Sequence, residues 1–421
     1  MKPPFFYSFQ VTTPKKTMNQ STNFVGQHIF SQILSLSSQR ILQSVFNKTK
    51  ANHYYKRIKA WNHYVSMMFC VLSGCTSLRE IYMGLEAFEG KLNHIGLTEA
   101  PARSTLADAN KNRSSEVFQN IFIHLSGLYR PFLSDSTLPP AVLSKLFLVD
   151  STVFGLFKAI LKTSGRHSKD GKKKGGIKKN TMLQASSLMP VLIRFNAAAD
   201  HDQQFLKFIE LSKGSYIVFD KGYNNYLQFA RFTQNEIFFI TRQKDNAVYT
   251  SMHERELTDD VPDDVLKDEV IEIKYKDDSG IEQALTLRRI AWWSSKDNKC
   301  YEFITNNFEL EAKIIAGIYR FRWQIELFFK KLKQNFPLHY FVGDNQNAIE
   351  IQIWCALIAL LLLSYMHHTN QSKMAFGNMV TLLRIHLAGY ISIKELLRLH
   401  NQKRKRGSKN QAITKDLFNS T

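Results

Sequence analysis

"YRFRWQIELFFKKLKQ", residues 319–334, sets one carboxylate, Glu326, among arginines, lysines and aromatics. A solvated surface helix usually mixes both charge signs, and a core helix does not carry this many cations. Tyr319, Arg322, Glu326, Lys330 and Lys333 follow one another at intervals of three, four, four and three positions. At 3.6 residues per turn they share an arc of roughly 80°. Phe321, Ile325, Phe328 and Leu332 fall on the opposite side and can face a core. The spacing predicts an amphipathic helix whose polar face carries one acid flanked by a phenol and three cations. Pairing of Glu326 with Lys330 at i,i+4 is worth only tenths of a kcal/mol. It leaves Tyr319, Arg322 and Lys333 unexplained.

Upstream, two apolar runs end in aspartate. "KLFLVDSTVFGLF" reads as a short buried strand ending at Asp150, and "SYIVFD" as another ending at Asp220. A carboxylate at a strand end is either a helix N-cap or a metal ligand. Between them "TMLQASS" and "VLIRFNAAA" read as strands and "DQQFLKFIELS" as helix. After Asp220 come a helix, "NNYLQFARFTQ", and a strand, "EIFFITR". Three strands followed by helix, strand, helix, strand predict an α/β layer on a mixed sheet, whose strand ends are where ligands are met.

Taken together, Asp150, Asp220 and Glu326 supply three carboxylates from two strands and one helix. Such a set can hold two Mg²⁺ ions for phosphoryl transfer. Arg322, Lys330 and Lys333 then hold phosphates of the same substrate, and Tyr319 donates a hydrogen bond to one. On this reading the cations beside Glu326 have a purpose.

The motifs resemble those of DDE transposases of the insertion sequence four family. Tyr319, Arg322, Glu326 and Lys333 match the Tyr-x2-Arg-x3-Glu-x6-Lys signature helix, and "LVDST" and "FDKGY" match the two aspartate motifs. "TSLREI" and "STLADANKNR" resemble the helical N-terminal region of one branch. "KKKGGIKKNTML" looks like the entry to the second strand, with Asn180 where a histidine is expected. The resemblance runs from about residue 22 to 370.

It implies an RNase H-like catalytic core with a β-rich insertion before the last acid, preceded by an α-helical N-terminal domain. It also implies Asp150, Asp220 and Glu326 as the catalytic, metal-binding triad, with Tyr319, Arg322 and Lys333 on the phosphates of the transposon end. Mg²⁺ is the expected cofactor, two ions, with Mn²⁺ able to substitute. The expected partner is double-stranded DNA, both transposon ends and target, with a homodimer formed on paired ends. The rival expectations are a catalytically silent DNA-binding relic of a transposase and an RNase H-type nuclease without strand transfer.

The domain division expected from composition and pattern is a loose N-terminus over 1–22, then a helical DNA-binding domain over 23–132. The first part of the core covers 142–242, the β-rich insertion 243–308 and the second part of the core 309–385. A basic tail covers 386–421. "SDSTLPPAV", residues 134–142, reads as a linker. Within the insertion "EVIEIKYKD", "QALTLRRIAWW" and "CYEFITNN" alternate as antiparallel strands, and "HERELTDDVPDDVLKDE" reads as a loop.

The whole chain agrees with a nucleic-acid partner. Its 421 residues carry 56 Lys and Arg against 36 Asp and Glu, a formal net charge of +20. Such an excess points to phosphate-rich partners. The longest apolar stretch, "IWCALIALLLLSYM", is shorter than the roughly 18–20 residues of a membrane span, so it reads as a buried helix. No secretory signal is visible at the start, and four cysteines without zinc spacing read as reduced thiols, in a bacterial cytoplasmic protein that joins the nucleoid when bound to DNA. The basic loop of residues 162–179, "YYKRIKAW" (54–61) and the tail "KRKR" (403–406) are further candidates for DNA contact. The last acts non-specifically. Of Trp292 and Trp293, strand alternation predicts one in the core and one exposed.

Overall fold

The computed structural model describes residues 26–53, 55–88, 90–129, 138–155, 165–166, 174–197, 202–255, 264–295, 297–336, 338 and 340–400. The expected loose N-terminus over 1–22 and the "KRKR" tail lie outside the described residues, as do the first four residues of the linker, the middle of the acidic loop over 256–263 and much of the basic loop.

Helices come first: α1 (Ile29–Ser35), α2 (Gln39–Lys48), α3 (Ala60–Ser73), α4 (Leu78–Glu86), α5 (Arg103–Asn112) and α6 (Glu116–Tyr129). Nearly every residue of α3 is buried, and Gly74 ends it at φ 84°, in the left-handed region that favours glycine. Ser77 caps α4 as its sequence predicts. The Ser77 hydroxyl accepts from the Glu80 amide at 3.2 Å, and the Glu80 carboxylate accepts from the Thr76 amide at 2.8 Å. In the sequence, "STLADAN", like "TSLREI", offers a Ser or Thr ahead of a helical run, as an N-cap does, and here the structure corrects that expectation. Ser104 and Thr105 lie inside α5, and Ala102, just after Pro101, takes the cap position with no side-chain bond. A short α7 (Pro140–Lys145), with proline in its first turn, leads into the sheet.

The sheet begins with β1 (Leu146–Gly155), β2 (Gly165–Arg166), β3 (Lys174–Gln184), β4 (Met189–Ala197), β5 (Tyr216–Phe219) and β6 (Phe238–Arg242). α8 (Tyr226–Gln234) joins β5 to β6. β1, β3 and β4 form an antiparallel meander, and β5 and β6 then add in parallel on the other side of β1. This gives the spatial order β4-β3-β1-β5-β6, the arrangement of an RNase H-like core. Period-two alternation divides the apolar residues between two cores. Leu148, Val218 and Ile240 face one; Val149, Phe219 and Phe239 face the other.

Two strand assignments differ from expectation. Asp150 is in the middle of β1, not at its end, because antiparallel pairing with β3 carries β1 on to Gly155. The last third of the expected basic loop is β3 itself, and its entry "KGGIKKN" pairs along β1.

The insertion continues the same sheet rather than forming a separate layer. β7 (Thr250–Glu254), β8 (Val265–Lys276), β9 (Glu282–Ser294) and β10 (Lys299–Thr305) are all antiparallel, and β10 pairs with β6. The last two residues of β7 and the first five of β8 fall inside the stretch expected to be a loop. β7 is exposed at all five positions, so it carries no apolar alternation to announce it. Trp292 is buried and Trp293 partly exposed, as alternation requires.

The expected signature helix is two helices, α9 (Ala312–Phe321) and α10 (Trp323–Asn335), meeting at Arg322. Ile325, Phe328 and Leu332 are buried in the core shared with Leu148 and Val218. α11 (Gln346–Thr369) is longer than its apolar run and has the length and composition of a membrane span. Within that apolar window 83% is buried inside the protein, and α3 and α6 pack against it, so it serves as the central core helix. α12 (Phe376–Ile385) follows, and residues 393–400, within the stretch expected to be a basic tail, are helical too, with Ile393, Leu396 and Leu397 buried. Cys70, Cys75, Cys300 and Cys355 are all free thiols.

Candidate active site

The register of β1 and β5 determines where the two aspartates go. Their last parallel pair is Val149 with Phe219. Asp150 and Asp220 are the next residues on the two chains, so their carboxylates leave at the same level. Both continue the parity of Leu148 and Val218, which point to the face covered by α10. Glu326 lies in the first turn of α10. The fold thus brings three carboxylates distant in sequence to one place.

The turn after Asp220 is held on both sides. The Tyr223 hydroxyl donates to Asn180 Oδ1 at 3.1 Å, and Asn180 pairs with Ser151 beside Asp150. Asn224 donates to the Arg242 carbonyl at 2.9 Å and accepts from the Thr241 hydroxyl at 3.0 Å. These bonds tie the Asp220 turn to β3 on one flank and to β6 on the other.

Arg322 is the centre of the cluster. Its Nη2 donates to Glu326 Oε1 at 2.7 Å and its Nη1 reaches Asp150 Oδ2 at 3.5 Å. Tyr319 donates its hydroxyl to Asp220 Oδ1 at 3.2 Å, and Arg242 Nη2 stands 3.4 Å from the same oxygen. Lys330 lies exposed one turn after Glu326. Lys333 is half-buried, and burial lowers its amine below the usual lysine range. Of the expected DNA contacts, then, Tyr319 and Arg322 are bonded to carboxylates.

The carboxylates are not equivalent. Burial pushes Asp150 up to about 6, with Glu326 and Asp220 raising it further against the Ser151 amide and Arg322. Burial acts the same way on Asp220, but Arg322 and Arg242 outweigh it and hold this group below the usual range. The Arg322 side chain is 12% exposed, against 34% for Glu326 and 37% for Asp220, so two of the acids remain open to solvent.

An all-carboxylate donor set suits a hard divalent cation. Among the described residues, no three acids, histidines or cysteines stand close enough to hold a metal ion as they are. Arg322 bridges two of the three acids, so taking up a cation there requires its guanidinium to give way. Arg322 Nε is buried without an acceptor, and so is Arg242 Nε. Two orphaned guanidinium donors beside three carboxylates are groups that an incoming phosphate oxygen satisfies. The donor set therefore fits a divalent ion together with a phosphate.

Sequence reading missed Arg242, Tyr223 and Asn224. Arg242 carries a signal, a lone cation ending the apolar strand "EIFFITR" beside the strand of Asp220. Tyr223 and Asn224 sit within and after "FDKGY", but their partners are on other strands, and no spacing reveals them.

Comparison with known proteins bears on the family. Residues 143–362 match the model of the transposase DDE domain, and residues 25–98 match a domain of unknown function (DUF4372). A protein of Sinorhizobium fredii, named as transposase y4zB, is 30% identical over 280 residues, covering 65% of this chain and 74% of its own. A Geobacillus stearothermophilus protein named as a transposase of insertion sequence element IS5377 is 22% identical over 54% of this chain and 58% of its own. One from Synechocystis, named for insertion sequence element IS4SA, is 24% identical over 62% of this chain and 70% of its own. A cryo-EM structure of the piggyBac transposase synaptic complex with hairpin DNA aligns over 88% of this chain and 80% of that one, at a TM-score of 0.40 and 9% identity. With a family model matched over residues 143–362 and relatives of the same name, the chain belongs to the DDE transposases, enzymes that cut and join DNA with the help of divalent metal.

Proposed function

We propose that the protein cuts DNA at the ends of its own mobile element and joins those ends to target DNA, with Asp150, Asp220 and Glu326 as the catalytic, metal-holding triad. The observation that carries this reading is the convergence of the three carboxylates, from β1, β5 and α10, on the guanidinium of Arg322. Asp150, Asp220 and Glu326 would hold two Mg²⁺ ions, which would supply activation of the attacking oxygen and stabilisation of the leaving oxygen. The chain's own residues do the rest. Asp150 and Asp220 present ligands at one level because β1 and β5 end their pairing together. Tyr319 holds Asp220 through its hydroxyl in the free protein and turns that hydroxyl to a phosphate when DNA binds. Arg322 exchanges its carboxylate partners for a phosphate of the transposon end, and Tyr319, Lys330 and Lys333 extend the phosphate contact along the helix. Arg242 joins this set through its free Nε.

The net charge of +20 supports a duplex held through its backbone. A homodimer on paired ends, in the cytoplasm of a bacterium and associated with the nucleoid, completes the reading. The test is a cleavage assay with Mg²⁺ on DNA carrying the gene's native flanks, comparing the wild type with Glu326→Gln. Cuts at defined ends by the wild type alone are expected. Equal cutting by both proteins rules out Glu326 as a ligand, and no cutting by either, with DNA binding intact, points to a silent relic.

A further inference from the structure

The N-terminal helical unit carries a surface that the acid cluster does not use. α5 stands as a ridge between two grooves. One, of about 650 Å³, is lined by Arg79, Arg103 and Lys111 together with the loop before α11. The other, of about 310 Å³, is lined by Tyr55, Lys56, Arg57 and Asn112. Lys56, Arg57, Lys59, Arg79, Arg103 and Lys111 are all exposed, and none is in an ion pair among the described residues. Cations left unpaired on both sides of one helix are complementary to two phosphate backbones.

The outward face of α5 is built differently from its flanks. Leu106, Ala109 and Asn110 are buried, which leaves Ser104, Ala107 and Asp108 along the crest between Arg103 and Lys111. Small side chains on the crest let a helix axis come close to base edges. Arg103 and Lys111 lie eight residues apart, about 12 Å along the helix, close to the width of a major groove. Asp108 is the one carboxylate of α5 and stands at the shared edge of the two grooves, and Asp344 is the other acid, on the far wall of the larger one. An acid repels phosphates, so the place of Asp108 on the crest between the cations marks where bases rather than backbone are met. There it can accept from a cytosine amine.

This helix is also fixed to the catalytic core. Asn347, in the first turn of α11, donates to the carbonyls of Asn110 and Arg113 at 2.8 Å each and accepts from the Ser115 amide at 2.8 Å. Glu350, one turn on, accepts from the Ser115 hydroxyl at 2.6 Å. DNA held on α5 is thereby placed in a set register to the acids. We infer that α5 lies in the major groove of double-stranded DNA and reads base pairs of the element's terminal sequence, with the grooves beside it receiving the two backbones. This rests on the proposed action at the element's ends.

The test uses the full chain and two fluorescent duplexes of about 40 base pairs. One comes from the end of the DNA flanking the gene, and the other is a shuffled sequence of the same composition. Wild type is expected to prefer the terminal duplex by at least tenfold. Arg103→Ala with Lys111→Ala weakens binding to both duplexes and lowers the salt slope by about one per cation removed. Asp108→Ala shrinks the preference with little change on the shuffled duplex. Circular dichroism checks that the variants, all at exposed positions, remain folded. Wild-type affinity and salt slope in the double variant overturn the proposal, as does an unchanged preference in Asp108→Ala or a wild type that does not discriminate. The triad is read separately, by cleavage. Loss of binding in the α5 variants with no cutting by wild type leaves α5 standing and removes the catalytic reading. Normal cutting with indifferent α5 variants does the reverse.

Discussion

Arg322 donates to Glu326 at 2.7 Å while its other terminal nitrogen reaches Asp150 at 3.5 Å, so one guanidinium neutralises two of three converging acids. Removing it leaves like charges facing one another in a half-buried site. Arg322→Ala is expected to cost about 1–3 kcal/mol of stability without divalent ions. The same change makes the site more negative and removes the competitor for the carboxylates. Mg²⁺ or Mn²⁺ should then raise the melting temperature of the variant more than that of the wild type. Thermal unfolding with and without each ion measures this, and equal shifts in both proteins would mean that Arg322 and the cation do not compete.

Asp150 gives the stability a pH signature. Its folded-state value, about 6, lies above the roughly 3.9 of an unfolded aspartate. Between these values the folded protein binds more protons than the unfolded one, so its contribution is fully present below about pH 4 and is lost as pH rises through 6. The full span is worth roughly 3 kcal/mol. Asp220 acts in the opposite direction, since its lowered value adds stability that disappears as pH falls below the carboxylate range. Asp150→Asn should flatten the melting-temperature profile between pH 4 and 6 in metal-free buffer. A profile of unchanged slope would put the raised group elsewhere. A divalent cation needs the ionised form, so its affinity for the site should rise as pH climbs through the same window.

What the sequence made legible was local. The stripe of Tyr319, Arg322 and Glu326 could be read because a helix repeats every 3.6 residues, and Ile325, Phe328 and Leu332 are indeed buried behind it. Asp150 and Asp220 stood out because each follows an apolar run. Their alignment did not, since it depends on pairing between Val149 and Phe219, seventy residues apart. The break at Arg322 left no trace in the periodicity, and β7 has no apolar face to betray it. The clamp from Tyr223 to Asn180 and the orphaned Nε of Arg242 are products of tertiary packing alone.

That clamp makes a prediction of its own. Tyr223→Phe removes the bond to Asn180 and leaves a buried amide oxygen without its donor, at a cost of about 1–3 kcal/mol. The ring still fills its place, so the fold survives. The turn bearing Asp220 is then less firmly set against β3. Cleavage should fall more than tenfold while affinity for terminal DNA stays within twofold. A variant that is destabilised yet cuts at the wild-type rate would limit Tyr223 to a structural role.

The insertion reaches the signature helices through a buried ion pair. Arg288 on β9 binds Asp268 on β8 through Nε at 2.9 Å and Nη2 at 2.6 Å, and its Nη1 donates to the Leu310 carbonyl at 2.5 Å, just before α9. Both side chains are nearly inaccessible, at 4% and 7%. Arg288→Met strands a buried carboxylate and should cost about 3–5 kcal/mol. Pairing it with Asp268→Leu removes that charge and should restore most of the stability, because an apolar pair of similar volume replaces a desolvated one. The bond to Leu310 stays lost in the double variant. If that bond sets the start of α9, and through it Tyr319 and Arg322, the double variant will be stable but slow in cleavage. Stability and cleavage restored together would show that the ion pair acts only within the inserted strands.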